Sequence, residues 1–237
     1  KHNMQSVKLK CIYICFPNGK HKALTMSYDD GRVEDRHLVS IFNKNGIKGT
    51  FHLNSGIQDD NRIPASEYVN LYRGHEIAAH TYLHPTIARS PLEQVVQQIL
   101  EDRKALEEAV GHPVLGFSYP NGSYSQSIVD ALPTLGIRYA RVVGNTDSFD
   151  LPENFFKWIP TCHHNHNLLA LGRQFLGLHK TQYLYLMYVW GHSYEFTLHN
   201  NWNIMEKFCE MTGNREDIWY ATNIEIVNYL DAAKRLQ

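Results

Sequence analysis

The chain is 237 residues long and carries 23 Lys+Arg against 24 Asp+Glu, a net charge of −1. A chain of this size can bury a sizeable core, and its even charge leaves no electrostatic footprint for nucleic acid or an anionic membrane. No apolar run reaches the ~18 residues of a bilayer-spanning helix. The opening KHNMQSVKLKCIY lacks the apolar stretch of a secretion signal, so a cytoplasmic protein is expected, although a trimmed leader would leave the same pattern. The four cysteines, Cys11, Cys15, Cys162 and Cys209, sit in ordinary strand or helix patterns and read as free thiols. The 14 histidines are the anomaly, because histidine is the commonest metal ligand and a natural general acid.

In chain order, KALTMSY reads as a strand and VEDRHLVSIFNKNG as a helix stopped at Gly46. IKGTFHL is the next strand, residues 64–72 a short helix, and GHEIAAH a third strand. SPLEQVVQQILEDRKALEEAVG is a helix with Ser90 at its N-cap, Pro91 at its first position, Glu93 in its first turn and Gly111 as its stop. There follow VLGFSYP (strand), 123–135 (helix), IRYARVV (strand), a loop with DSFDLPE, FFKWIPTC (strand) and a helix over about 167–178. The long aromatic strand YLYLMYVWGHS precedes the NNWNIMEKFCEMTG helix, the DIWYAT strand and the NIEIVNYLDAAKRL helix, which Thr222 and Glu225 cap. Strands alternating with helices imply right-handed βαβ units and a parallel sheet, and this many in one domain favour a barrel. In such barrels chemistry collects at the C-terminal strand ends.

That rule selects Asp29 and Asp30 after the first strand, His80 after the third and Asn121 after the fourth. Asp150 follows the fifth, and His192 ends the long aromatic strand. His80 and His84 are four residues apart and share one face if the segment turns helically. With one carboxylate they make a two-His, one-Asp set suited to Zn²⁺, Fe²⁺ or Co²⁺, with positions open to water and substrate. A cation there would also offset the adjacent charges of Asp29 and Asp30, which otherwise repel.

SYDDG followed by HTYLH resembles the first two motifs of the polysaccharide deacetylase (NodB homology) family, carbohydrate esterase family 4, written TFDDG and H-S/T-x-x-H. FSYPNG falls where that family has an R-x-P-Y turn, DSFDLP resembles its D-S-x-D-W stretch, and VWGHSYEF replaces its terminal L-x-H strand. The resemblance runs from residue 22 to about 196. It implies an α/β fold of the distorted (β/α)7 barrel type, a single catalytic domain over 1–237, and removal of acetyl groups from N- or O-acetylated saccharides. It implies one divalent ion, Zn²⁺ first with Co²⁺, Fe²⁺, Ni²⁺ or Mn²⁺ as alternatives, held by Asp30, His80 and His84. Asp29 would be the base, the Asn121 backbone N–H would face the oxyanion, His192 would be the acid, and Asp150 would keep His192 charged. Spacing alone does not order the two aspartates.

The chain departs from the family at three points. Ser118 stands at the arginine position of the third motif, Asn121 at its tyrosine, and Leu151 at the tryptophan of the fourth. Arg32 or Arg141 is then needed to cover Asp29, and Glu195 competes with Asp150 for His192. In TCHHNH, neighbouring strand residues point to opposite faces, so Cys162, His163, His164 and His166 do not converge easily on an ion. His163 or His164 is expected to line the substrate cleft instead. Tyr183, Tyr185, Tyr188 and Trp190 read as core, with Trp190 and Tyr194 placed to stack on a sugar face. Two other functions compete: hydrolysis of a non-sugar amide, and a catalytically inactive carbohydrate-binding barrel.

Overall fold

The computed structural model describes residues 13–235, so Cys11 and most of the opening segment lie outside the described residues. The strand β1 (Lys22–Asp29) is buried along its whole length, as a central parallel strand must be. Its alternation has two readers. Leu24, Met26 and Tyr28 join the larger apolar cluster under the helices, whereas Ala23 joins a second cluster with Tyr139, Trp158, Leu186 and Tyr188 inside the barrel. Thr25, Ser27 and Asp29 share the inner face with Ala23, which makes the barrel interior unusually polar.

Among the described residues, the pairings between the strands of the sheet are all parallel. One edge of β1 pairs with β7 (Tyr185–Gly191). The other edge is divided: residues 22–24 pair with β8 (Ile218–Tyr220), and 26–29 with β2 (Gly49–Leu53). Beyond β2 come β3 (Glu76–Ala79), β4 (Gly116–Ser118) and β5 (Tyr139–Arg141). β6 (Cys162–His163) lies outside β7. Seven strands thus form one curved path, and β8 is wedged beside the start of β1. The fold is a distorted (β/α)7 barrel.

The expected FFKWIPTC strand is largely replaced. Phe155–Lys157 is a 3₁₀ turn, Trp158 makes a single parallel bridge to Arg141, and only the two residues of β6 pair regularly. Pro160, which has no N–H to give a ladder, lies between the bridge and β6. Through this segment the two ends of the curved path approach each other.

The helices are α1 (Asp35–Lys44), α2 (Tyr68–Leu71), α3 (Leu92–Val110), α4 (Gln126–Ala131), α5 (Leu168–Leu176), α6 (Tyr194–Leu198), α7 (Trp202–Thr212) and α8 (Asn223–Lys234). Thr222 caps α8 by accepting from the Glu225 N–H at 3.4 Å, as read from the sequence. Ser90 does not cap α3; its hydroxyl donates to the Thr86 carbonyl and Pro91 takes the N-cap. Cys15, Cys162 and Cys209 are free thiols. Tyr183, read as core, is exposed. Among the described residues, no helix is long and apolar enough to cross a membrane.

Candidate active site

β1 delivers its last residue, Asp29, into the barrel, and the chain then turns through Asp30 (φ 80°) and Gly31 (φ 62°). A positive φ at a non-glycine residue costs energy and marks a constrained turn. A side chain at Gly31 would also come within 2.9 Å of Leu53 on β2. The turn keeps both carboxylates at one strand end but gives them different neighbours.

Asp29 is buried, and the Arg141 guanidinium from β5 contacts both its oxygens through Nη2. Ser118, in the family's arginine position, donates its hydroxyl to Asp29 at 3.2 Å. The charge missing from β4 is therefore supplied from the next strand, and Arg141 rather than Arg32 covers Asp29. Arg141 is itself held: Nε donates to Ser27 Oγ at 3.0 Å, His52 Nε2 meets that hydroxyl at 2.8 Å, and Trp190 lies 4.6 Å from the guanidinium. Burial pushes the Asp29 carboxyl up, but Arg141 and then His80 outweigh it and hold Asp29 far below the ordinary carboxylate range.

Asp30 Oδ1 lies 3.4 Å from His80 Nε2 and 3.5 Å from His84 Nε2, and it is a buried atom with no hydrogen-bond partner. Those distances are long for hydrogen bonds. Two ligands about 2.1 Å from one tetrahedral ion stand about 3.4 Å apart, so the spacing fits a shared cation. His80 Nδ1 faces the Ser118 carbonyl at 2.8 Å, which puts the ring proton there and leaves Nε2 bare toward Asp30. The three donors thus fit a divalent ion. The helical turn expected between the two histidines is absent. Thr81 (φ 70°) and His84 (φ 57°) make a left-handed loop that brings the rings within 4.9 Å.

That loop is locked by residues the sequence reading missed. Asp102 on α3 accepts the His80 N–H at 2.8 Å and both the N–H (2.8 Å) and hydroxyl (2.6 Å) of Ser55. The Asn54 side-chain amide donates to the carbonyls of His80 and Thr81. A signal existed: Asp102 shares the buried face of α3 with Val95, Ile99 and Leu106, an acid in an apolar stripe.

His192 follows β7. Its Nδ1 meets Glu195 Oε1 at 2.7 Å and its Nε2 lies 3.8 Å from Asp30 Oδ2. Burial favours the neutral ring, but Glu195, and then Asp29 and Asp30, raise the His192 pKa above its ordinary value. The expected partner, Asp150, is elsewhere: exposed, it accepts from Ser148 at 2.7 Å. Its loop is tied outside the barrel through Thr146 N to Pro160 O and Asp147 N to Thr161 O. A partner three residues along, at the start of α6, needs no such loop to return.

The remaining candidates are partly regrouped. His164, expected at the cleft, is buried between the rings of Tyr28 and Phe196, and burial takes its pKa down to about 3. His163 joins Glu195 at 3.1 Å and packs edge-on against Trp190, whose ring is occupied by Arg141 and His163 rather than left open for a sugar. Tyr194 is half-buried beside His192 with Arg32 over its ring. Asn121 occupies an exposed left-handed turn (φ 56°) after β4.

The polysaccharide deacetylase family model matches residues 11–140, more than half of the chain. Among curated proteins, the chain is 29% identical over 133 residues to a chitooligosaccharide deacetylase of Azorhizobium caulinodans, covering 54% of this chain and 55% of that protein. It is 23% identical over 128 residues to the uncharacterized protein YlxY of Bacillus subtilis, covering 54% of this chain and 40% of that one. The matches thus span about half the length of these relatives. Among solved structures, a Mycobacterium smegmatis protein classed with the polysaccharide deacetylases superposes with a TM-score of 0.68 at 16% identity, covering 94% and 95% of the two chains. A Bacillus anthracis carbohydrate esterase family 4 pseudoenzyme superposes at 0.56 and 17% identity, covering 91% of this chain and 68% of that one. These likenesses carry the fold, and the match of the family model carries the assignment: the chain belongs to the polysaccharide deacetylase family, carbohydrate esterase family 4.

Proposed function

We propose that the protein is a metal-dependent hydrolase that removes acetyl groups from N- or O-acetylated carbohydrate. The observation that carries this reading is the unpartnered Asp30 Oδ1 between His80 and His84, beside an Asp29 fixed in its charged form and a His192 backed by Glu195. Asp30, His80 and His84 would hold the ion, Zn²⁺ first among the candidates. When bound, such an ion acidifies water and polarises a carbonyl.

The chain's own residues do the rest. Asp29, free of the ion-holding set, accepts the proton of the attacking water, and Arg141 and Ser118 keep it aimed and ionised. Negative charge developing on the acyl oxygen faces the backbone N–H of the Asn121 turn. His192 gives its Nε2 proton to the leaving nitrogen or oxygen, and Glu195 holds the imidazolium ready. The C–N or C–O bond breaks, and acetate and the free amine or alcohol leave.

An inactive barrel would be favoured if the third-motif arginine had no replacement, and Arg141 supplies a guanidinium to Asp29 in its place. The test is acetate release from N-acetylchitooligosaccharide, acetylated xylan and a chromogenic acetate ester, by metal-loaded and chelated protein. Release that depends on the ion supports the reading. Metal-loaded protein that binds saccharide but releases no acetate overturns it in favour of the binding barrel, and turnover confined to non-sugar amides favours the third reading.

A further inference from the structure

With Arg141 opposite Asp29, the other arginine at this strand end is left without an acidic partner. Arg32 directly follows Asp29, Asp30 and Gly31. Its guanidinium lies 4.6 Å from the ring centre of Tyr194, and that ring is 5.4 Å from the His192 ring. Among the described residues, no carboxylate is within ion-pair distance of Arg32, and its Nε is shielded from water with no hydrogen-bond partner.

A second arginine stands beside it. Arg62 is paired with Arg32 across an antiparallel bridge, flanked by Val33 N to Asn61 O at 2.9 Å and Ile63 N to Gly31 O at 2.8 Å. Residues directly opposite in an antiparallel pair send their side chains to the same face. Arg62 Nε is also buried without a partner, and its Nη1 reaches only Asp59, at 3.4 Å. Glu34 and Asp60, the other acids of these two loops, make no ion pair among the described residues. Two like charges side by side repel, and a shielded N–H left unmade costs stability. An anion between them answers both, and a guanidinium fork suits a carboxylate or phosphate better than a neutral hydroxyl.

We infer that Arg32 and Arg62 form an anion-reading subsite at the mouth of the site, and that the saccharide carries a carboxylate or phosphate near its acetyl group. This rests on the deacetylase reading and sets its substrate class. The acidic group would sit on the Tyr194 side of His192, so it would orient the acetyl group as well as add affinity.

The experiment compares acetate release from matched pairs. N-acetylglucosamine 6-phosphate is set against N-acetylglucosamine, and an N-acetylated disaccharide with a neighbouring uronic acid against its neutral counterpart. Wild type should favour an acidic member in kcat/KM by ~10–100-fold, the scale of a charge-assisted hydrogen bond or two. That ratio should fall toward one in the Arg32→Gln, Arg62→Gln double variant, and partly recover with lysine at both positions. The pair that shows the preference tells phosphate from carboxylate. Calorimetric titration with glucuronate and with inorganic phosphate, wild type against the double variant, reads the subsite without turnover. Equal rates on both members of each pair, with titrations that the double variant leaves unchanged, overturn the inference and leave the deacetylase reading standing. No acetate from any substrate overturns that reading instead, and the titrations then decide the subsite alone.

Discussion

The Asp30, His80 and His84 group and the His163, His164 and Glu195 group each bring two imidazoles and one carboxylate within 4.8 Å of one another. They differ in how much of their hydrogen-bonding capacity is already used. Glu195 Oε1 takes the His192 N–H at 2.8 Å, His192 Nδ1 at 2.7 Å and His163 Nε2 at 3.1 Å. His163 Nδ1 accepts from Asn165 N–H, so its proton sits on Nε2, the atom an ion would need bare. In the first group, Asp30 Oδ1 has no donor and His80 carries its proton on the far nitrogen. The same ligand types are therefore committed differently: the first set keeps its facing atoms unpartnered and fits a cation, and the second, His164 Nε2 aside, is spent on hydrogen bonds around His192. Ligand chemistry alone does not separate them, but the protons already placed do.

The largest effect expected from this contrast is on metal content. Purified protein should bind one equivalent of divalent ion, and His80→Ala should abolish stoichiometric binding, whereas His163→Ala should keep it. Elemental analysis and competition with a chelator read both. Loss of the ion in the His163 variant with retention in the His80 variant would invert the comparison.

The next largest concerns Asp29, which sits beside the first group without joining it. Asp29→Asn should keep the ion and lower turnover by about 10²–10⁴-fold. Activity within tenfold of wild type would mean that Asp29 is not the base. Arg141→Met leaves the buried Asp29 charge uncompensated, so it should also cost about 3–5 kcal/mol of stability by denaturant unfolding.

How much of this was legible beforehand follows the same line between residue type and placement. The strand ends, and with them Asp29, Asp30, His80, Asn121 and His192, were readable because each ends a strand-like run that folds as one. The hand of each crossover follows from βαβ chirality, whereas β8 wedged beside the start of β1 does not. The partners were readable only in part: Arg141 is one of two arginines that the sequence offers for Asp29, and Asp102 shows only as an acid in an apolar stripe. Arg141 meets Asp29 across 112 positions of chain, and Asp102 meets the His80 N–H across 22, pairings between separate elements that no periodicity within one element specifies. Asp150 was preferred over Glu195 on a motif likeness, yet its loop is tied outward by backbone hydrogen bonds that leave no mark in residue type. The short-range pair, His192 and Glu195 three apart at a strand-to-helix turn, was the one that local geometry could reach.

That correction sets the third prediction. In the proposed mechanism His192 must be charged to donate, and Glu195 raises its pKa. Replacing Glu195 by Gln removes that support, so the folded pKa falls and the imidazolium is lost at lower pH. The alkaline limb of the kcat/KM profile should then move toward acid, with turnover at neutral pH reduced. Asp150→Asn should leave the limb in place. A shift in the Asp150 variant alone would restore the family arrangement.

The smallest expected effect tests the buried member of the second group, His164. His164 is buried between Tyr28 and Phe196, its Nε2 has no partner, and burial takes its pKa down to about 3. In the unfolded chain the ring titrates near 6.5, so below that pH the unfolded state gains a proton that the folded state refuses. The stability this neutral ring contributes is complete above about pH 6.5 and is lost progressively as pH falls toward 3. Between pH 7.5 and 5 the loss is about 2 kcal/mol. His164→Leu removes the titrating group, so its stability relative to wild type should rise by that amount on going from pH 7.5 to 5. Urea unfolding of both proteins in metal-free form measures the difference without a contribution from ion release. If the difference stays flat, His164 titrates alike in the folded and unfolded chains and burial does not exclude its proton; if it falls, the folded ring holds its proton, paired with Glu195 3.9 Å away.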